Sequence, residues 1–189
     1  MFEPIATIEH DGYALMSLQL TTHLGTHVDA PAHVLADGAT LDALPAERLV
    51  LDALRVDVSR RDPHGPIPLA ELEPHLADVR EGDAVLFYSG NARRWGSEAY
   101  WTSWSYPDAD ASHALVERGV SAVGFDGPSA DPVDSVTLDL HRIWFDAGCL
   151  IIENLANLDE LPDRARLVIA PLKVEAADGA PARVLALLR

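Results

Sequence analysis

Basic charge is scarce in this chain. Lys173 is its only lysine, and Lys and Arg together number 14 against 30 Asp and Glu, for a formal net charge of −16. A surface that tracks nucleic-acid phosphates or anionic lipid needs clustered Lys and Arg, so both partners are excluded as expectations. Cysteine is as rare. Cys149 stands alone, which rules out an internal disulfide. No apolar run is long enough to span a bilayer, and residues 1–20 carry no basic segment followed by an apolar one. A cytoplasmic protein is the expectation. Repeats, low-complexity tracts and linker-like shifts in composition are also missing, so residues 1–189 read as a single domain. What the chain does have is apolar content, at 48% of residues, enough to bury a core.

The pattern along the chain predicts a mixed α/β architecture. Strands are expected at residues 13–22, 48–58, 84–88, 120–125, 150–153, 166–174 and 182–188. Leu69, Leu72 and Leu76 recur at helical spacing after Pro68. Asp110 is placed to cap a second helix that runs to Arg118 and stops at Gly119, and residues 138–147 suit a third, stopped by Gly148. Residues 89–109 and 126–137 read as loops. Strands outnumber helices and alternate with them irregularly, which predicts one α/β domain with a mixed sheet.

The segment that carries chemistry is His23-Leu-Gly-Thr-His27-Val-Asp29-Ala-Pro-Ala-His33. Four metal-capable side chains fall at spacings of 4, 2 and 4. Even offsets in an extended chain share one face, and His27 and Asp29 lie roughly 7 Å apart along a strand, so both can lean on one ion. His23 would be roughly 13 Å from His27 in an extended chain and joins them only if the backbone bends, which Gly25 permits. A helix would also align His23 with His27, but Gly25, Pro31 and two preceding threonines suit it poorly. Pro31 disfavours a regular ladder and can turn His33 back toward the site. Two imidazoles and a carboxylate suit Zn²⁺, Mn²⁺ or Fe²⁺, with a nearby His as general base or further ligand. Glu153 ends the apolar run Leu150-Ile151-Ile152, and a buried carboxylate needs a partner. Whether Glu153 and His141 join the site stays open on the residues alone.

Other candidates read more plainly. His10, His64, His75 and His113 are expected to be ordinary surface or core histidines. Cys149 precedes an apolar run and is expected to be buried and inert. Ser89 and Ser129 lack the flanking signature of a nucleophile turn. Trp95, Tyr100, Trp101, Trp104 and Tyr106 suit either a wall for a flat substrate or, more ordinarily, loop and subunit packing. Arg93 and Arg94 are candidates to meet a substrate carboxylate, though exposed arginines are common.

The motif from His23 to His33 resembles the HxGTHxDxPxH signature of the cyclase family of metal-dependent hydrolases, which includes bacterial kynurenine formamidases (arylformamidases) and isatin hydrolases. Val123-Gly124-Phe125-Asp126-Gly127-Pro128-Ser129-Ala130-Asp131-Pro132 is similar to the family's VGxDxxSxDP stretch. His141 followed by Leu150-Ile151-Ile152-Glu153-Asn154-Leu155 is similar to its H…(L/I)IENL stretch. The resemblance covers about residues 13–175. It implies a swivelling β/β/α fold, a homodimer or homotetramer, and one or two Zn²⁺, with a single Mn²⁺ as the isatin-hydrolase alternative. By motif position, His23, His27 and Asp29 would hold the first metal. Asp29 and Glu153 would bridge to a second, which His141 also binds. His33 would be the general acid/base for a metal-activated water. The implied substrate is a small aryl amide, N-formylkynurenine going to kynurenine and formate in tryptophan catabolism. The alternatives are ring opening of a cyclic amide of isatin type, and a metal-holding protein without turnover. Family members usually carry a longer lead before the first motif, with an opening strand and an aromatic that lines the pocket, so that strand is expected to be missing here or to lie upstream of Met1.

Overall fold

The computed structural model describes residues 1–61 and 64–188. Its elements run β1 (Phe2–Ala6), α1 (Ile8–Asp11), β2 (Leu15–Leu18), β3 (His27–Asp29), β4 (Val50–Asp57), β5 (Pro66–Ile67), α2 (Leu69–Leu76) and β6 (Ala84–Tyr88). They continue with α3 (Glu98–Thr102), β7 (Tyr106–Pro107), α4 (Ala109–Glu117), β8 (Ala122–Phe125), α5 (Asp139–Asp146), β9 (Leu150–Glu153), β10 (Arg164–Pro171) and β11 (Gly179–Leu187).

Seven strands close on themselves in the order β10-β11-β3-β9-β8-β6-β4. The run β4-β6-β8-β9 is parallel, and every other contact around the ring is antiparallel. Parallel neighbours need crossovers. Helix α2 lies in the first, α3 and α4 in the second, and α5 in the third. The expected mixed α/β domain is present, and its sheet is closed.

Alternation along the strands separates two cores. Val85, Phe87, Val123, Phe125 and Ile151 face outward and pack with Leu72, Leu115 and Trp144 from the helices. Ala84, Leu86, Ala122, Leu150, Ile152 and Val28 face the interior, together with Leu167 and Ile169. Burial on both faces is why β6, β8 and β9 read as unbroken apolar runs. Inside, space is short: a Cβ on Gly124 would lie 2.6 Å from Leu86 and 2.8 Å from Leu155.

Several expected boundaries shift. The helix cap is Asp108, not Asp110; its side chain accepts from Ala111 N at 2.8 Å, and Asp110 lies within α4. Residues 89–109 are not simply loop, because they hold a 3-10 turn at Asn91–Arg94, then α3 and β7. The strand expected at 13–22 is only Leu15–Leu18. It pairs with β1, a strand that the sequence pattern does not announce because all but one of its residues are exposed.

Candidate metal centre

The face alternation that builds the barrel also builds the site. Val28 points into the barrel, so His27 and Asp29 on either side of it point outward. On the neighbouring strand, Ile152 faces inward opposite Val28, which puts Glu153 outward opposite His27. Helix α5 packs over this face and buries His141 beside Trp144 and Phe145.

The bend that His23 requires occurs at Gly25, which adopts φ +60°. It brings His23 Nδ1 to 2.7 Å from Asp29 Oδ1, with His27 Nε2 3.0 Å from the same oxygen. Pro31 opens a 3-10 turn, Pro31–His33, that folds His33 back until its ring centroid is 4.0 Å from that of His23. That turn rests on Gly38, where a Cβ would fall 2.6 Å from Ala32 N and closer still to the Pro31 carbonyl. Gly38→Ala is therefore expected to cost about 1–3 kcal/mol of stability by overpacking, measured by urea unfolding.

On the other side of Asp29, its Oδ2 lies 3.7 Å from His141 Nε2, and Glu153 Oε1 lies 3.4 Å from that nitrogen. Glu153 Oε2 is 3.4 Å from His27 Nε2. Three overlapping donor groups result: His23, His27 and Asp29; Asp29, His141 and Glu153; and His23, His33 and Asp178. The five ligand residues expected from the resemblance thus converge, with Asp29 common to two groups and His33 at the rim.

Burial makes this convergence expensive without a cation. Asp29 is 1% exposed, yet neither of its carboxylate oxygens has a hydrogen-bond partner, and His27 Nε2 has none either. Short contacts that are misaligned for hydrogen bonding, among atoms all able to donate lone pairs, are what a divalent ion would satisfy. The donor set of imidazole nitrogens and carboxylate oxygens fits such an ion. The ionisation of the metal-free cluster follows from the same crowding. Burial pushes Glu153 upward and the charge of Asp29 adds to it, whereas Asp29 itself is held well below the usual range, against its burial, by His141, His23 and His27. Burial would lower His141, but Asp131, Asp29 and Glu153 raise it to about 11.

The ring nitrogens that face away from the cluster are held. His27 Nδ1 lies 2.8 Å from the Gly25 carbonyl, to which it donates. Asp131 Oδ2 lies 2.5 Å from His141 Nδ1 and also accepts the His141 backbone N–H at 2.9 Å, while Oδ1 accepts from Leu140 N. Asp131 therefore satisfies the start of α5 and orients the His141 ring at once. Asp131 stands within one of the motifs, where the sequence offers it no role, and no motif includes Asp178.

The remaining candidates stand apart. His10 and His113 are exposed, His64 and His75 partly so, and none of the four belongs to a donor group among the described residues. Cys149 is buried, contacts the Val120 carbonyl, and has a thiol pushed up to about 11 by burial, as an inert thiol should. Ser89 is bound to Asp126, and Ser129 accepts from Asp131 N. Arg94 is engaged by Asn91 and the Ser103 carbonyl, and Arg93 by Asp159. Of the aromatics, Tyr100 and Trp104 are buried; Trp104 donates to the Asp131 carbonyl, and Tyr100 donates to Asn154 at 2.5 Å. Trp95 and Trp101 are exposed. With Tyr100 and Asn154, Trp95 lines a cavity of about 260 Å³ beside Gly25.

A mixed barrel carrying an outward-facing His/Asp/Glu cluster with unsatisfied donors defines a protein built for divalent-metal chemistry. The chain belongs to the cyclase family, whose model, described as "Putative cyclase", matches residues 2–132. A kynurenine formamidase of Salinibacter ruber is 38% identical over 176 residues, spanning 89% of this chain and 77% of that protein. Isatin hydrolase A from Ralstonia solanacearum superposes with a TM-score of 0.91 at 27% identity, over 100% of this chain and 81% of that one. A structure described as a predicted metal-dependent hydrolase from Bacillus stearothermophilus superposes with a TM-score of 0.80 at 30% identity, over 98% and 85%.

Proposed function

We propose that this chain is a metal-dependent hydrolase of non-peptide amide C–N bonds, and that N-formylkynurenine is its substrate, yielding kynurenine and formate. The observation that carries the proposal is the Asp29 carboxylate, buried without a hydrogen-bond partner between His23, His27 and His141. Similarity to kynurenine formamidases over most of the chain supports the choice of substrate.

In this reading His23, His27 and Asp29 would hold one ion, and Asp29, His141 and Glu153 would hold a second. Zn²⁺ suits the donors best, with Mn²⁺ as the alternative for a single ion. When bound, a divalent ion supplies Lewis acidity, acidifying water and polarising a carbonyl. The protein's own groups do the rest. Gly25 and Asp131 hold the rings of His27 and His141 so that their Nε2 atoms face the carboxylates. His33, a quarter exposed at the rim, takes a proton from water as its oxygen adds to the amide carbon. It returns that proton to the nitrogen as the C–N bond breaks and the amine departs. Burial lowers the His33 pKa, which favours the neutral ring that can accept a proton.

Ring opening of an isatin-like cyclic amide is the second reading, favoured by the 0.91 TM-score to an isatin hydrolase. It uses the same residues. We further infer that the whole of residues 1–189 forms one such unit, working in the cytoplasm as a homodimer or homotetramer. The large apolar side chains exposed on the β1–β2 hairpin, among them Phe2, Ile5, Leu15, Met16 and Leu18, support self-association. The lone buried Cys149 suits a reducing compartment. No helix of the described residues is long and apolar enough to cross a membrane.

The test is metal content by mass spectrometry of the purified chain, with a formate-release assay on N-formylkynurenine. Stoichiometric zinc or manganese with formate release is expected. Metal without formate release would move the substrate to cyclic amides, and failure to take up either metal would overturn the proposal.

A further inference from the structure

Asp178 sits in the turn that leads into β11, far from the motif in sequence. Its backbone is pinned: the carbonyl accepts from Ala30 N at 2.8 Å, and the next residue, Gly179, pairs with Asp29 across the β3–β11 ladder. Gly179 is itself fitted to the site, since a Cβ there would lie 2.7 Å from the Val28 carbonyl oxygen and 3.0 Å from His23 Cε1. From this fixed point a single oxygen, Oδ2, reaches His23 Nε2 at 2.9 Å and His33 Nδ1 at 3.3 Å.

We propose that Asp178 is a positioning residue that ties a metal-holding histidine to the proton-transferring one, fixing the orientation of both rings through one carboxylate oxygen. The inference rests on the roles proposed above for His23 and His33. The imidazole of His23 lies between two carboxylates, with Nδ1 toward Asp29 and Nε2 toward Asp178. A proton kept on Nε2 by Asp178 leaves the Nδ1 lone pair directed at the donor group, the arrangement by which a carboxylate behind a histidine strengthens it as a ligand. The same oxygen holds a proton on His33 Nδ1 and leaves its Nε2 as the basic nitrogen. The two rings are 4.0 Å apart and tilted by 36°, so rotation of either displaces the other. Asp131 plays the matching part behind His141, but it serves one ring only.

The experiment compares the full-length parent with Asp178→Asn and Asp178→Ala. Zinc affinity of chelator-stripped protein is measured by competition with a chromophoric chelator, and kcat and KM for N-formylkynurenine are measured at saturating zinc. The expected result is a loss of about 10–100-fold in zinc affinity and a comparable fall in kcat, with KM moving less. Asn, which keeps one acceptor oxygen, is expected to fall between the parent and Ala, a graded rescue that a purely structural role would not give. Asn also serves if Ala fails to fold. Affinity and kcat within about twofold of the parent in Asp178→Asn and in any folded Asp178→Ala would overturn the inference. Loss of a whole zinc equivalent would make Asp178 a ligand and would also overturn it. A parent that binds zinc but does not release formate would sink the substrate reading while leaving the affinity comparison decisive for Asp178. A parent that binds no zinc would remove both.

Discussion

Asp29→Ala is expected to leave a protein that purifies with almost no metal and turns over at least about a thousandfold more slowly. Asp29 is the one residue common to both donor groups on the barrel face, so its loss removes a ligand from each. Strand β3 is bonded to β9 on one side and β11 on the other, and Val28 between the two ligands is locked into the interior. Lewis-acid stabilisation is worth several kcal/mol, and each factor of ten in rate corresponds to about 1.4 kcal/mol. The checks are metal content by mass spectrometry and kcat/KM on N-formylkynurenine. Near-stoichiometric metal in this variant would mean that the cluster has been misassigned.

His33→Ala should separate what Asp29→Ala removes together. Metal content is expected to stay at the parent level, because His23, His27, Asp29, His141 and Glu153 all remain. Turnover is expected to fall by about 10²–10⁴, the usual contribution of a positioned proton-transfer group. The structure gives reasons to expect both results. His33 is not in either donor group that contains Asp29, and its turn can lose the ring without altering the Pro31–Val34 backbone bond that closes it. Steady-state kinetics beside metal analysis decide the matter. Unimpaired turnover would remove His33 from the mechanism.

Much of this arrangement can be read in the sequence, for identifiable reasons. Strands β6, β8 and β9 are buried on both faces, so their composition alone marks them. The motif from His23 to His33 encodes its own geometry: the even spacing of His27 and Asp29, the bend at Gly25 and the turn at Pro31 are all local. What the sequence hides is what depends on register and distance. Closure of the sheet comes from the pairing of β10 with β4 and β11, and nothing in the residues between them announces it. β1 is hidden because its exposed side chains follow no buried pattern. Asp178 meets His23 across 155 positions, and its neighbours Glu175-Ala-Ala read as an ordinary acidic turn. Asp131 lay in plain sight, but its bond to His141 forms only because α5 starts where Asp131 can accept its first amides. The cap of α4 is of the same kind: Asp108 and Asp110 lie two positions apart, and local pattern does not choose between them.

The closed ring has an evolutionary corollary. His27, Asp29 and Glu153 are held on strands whose spacing is dictated by backbone bonds on both sides, while Trp95, Trp101 and the β1–β2 hairpin lie outside the ring. Substitution of Trp95, which lines the cavity beside Gly25, can reshape that cavity without disturbing the strands that carry His27, Asp29 and Glu153. A scaffold so divided can diversify its substrates while its chemistry stays constant, which gives a physical reason for formamidases and isatin hydrolases to be found among its relatives.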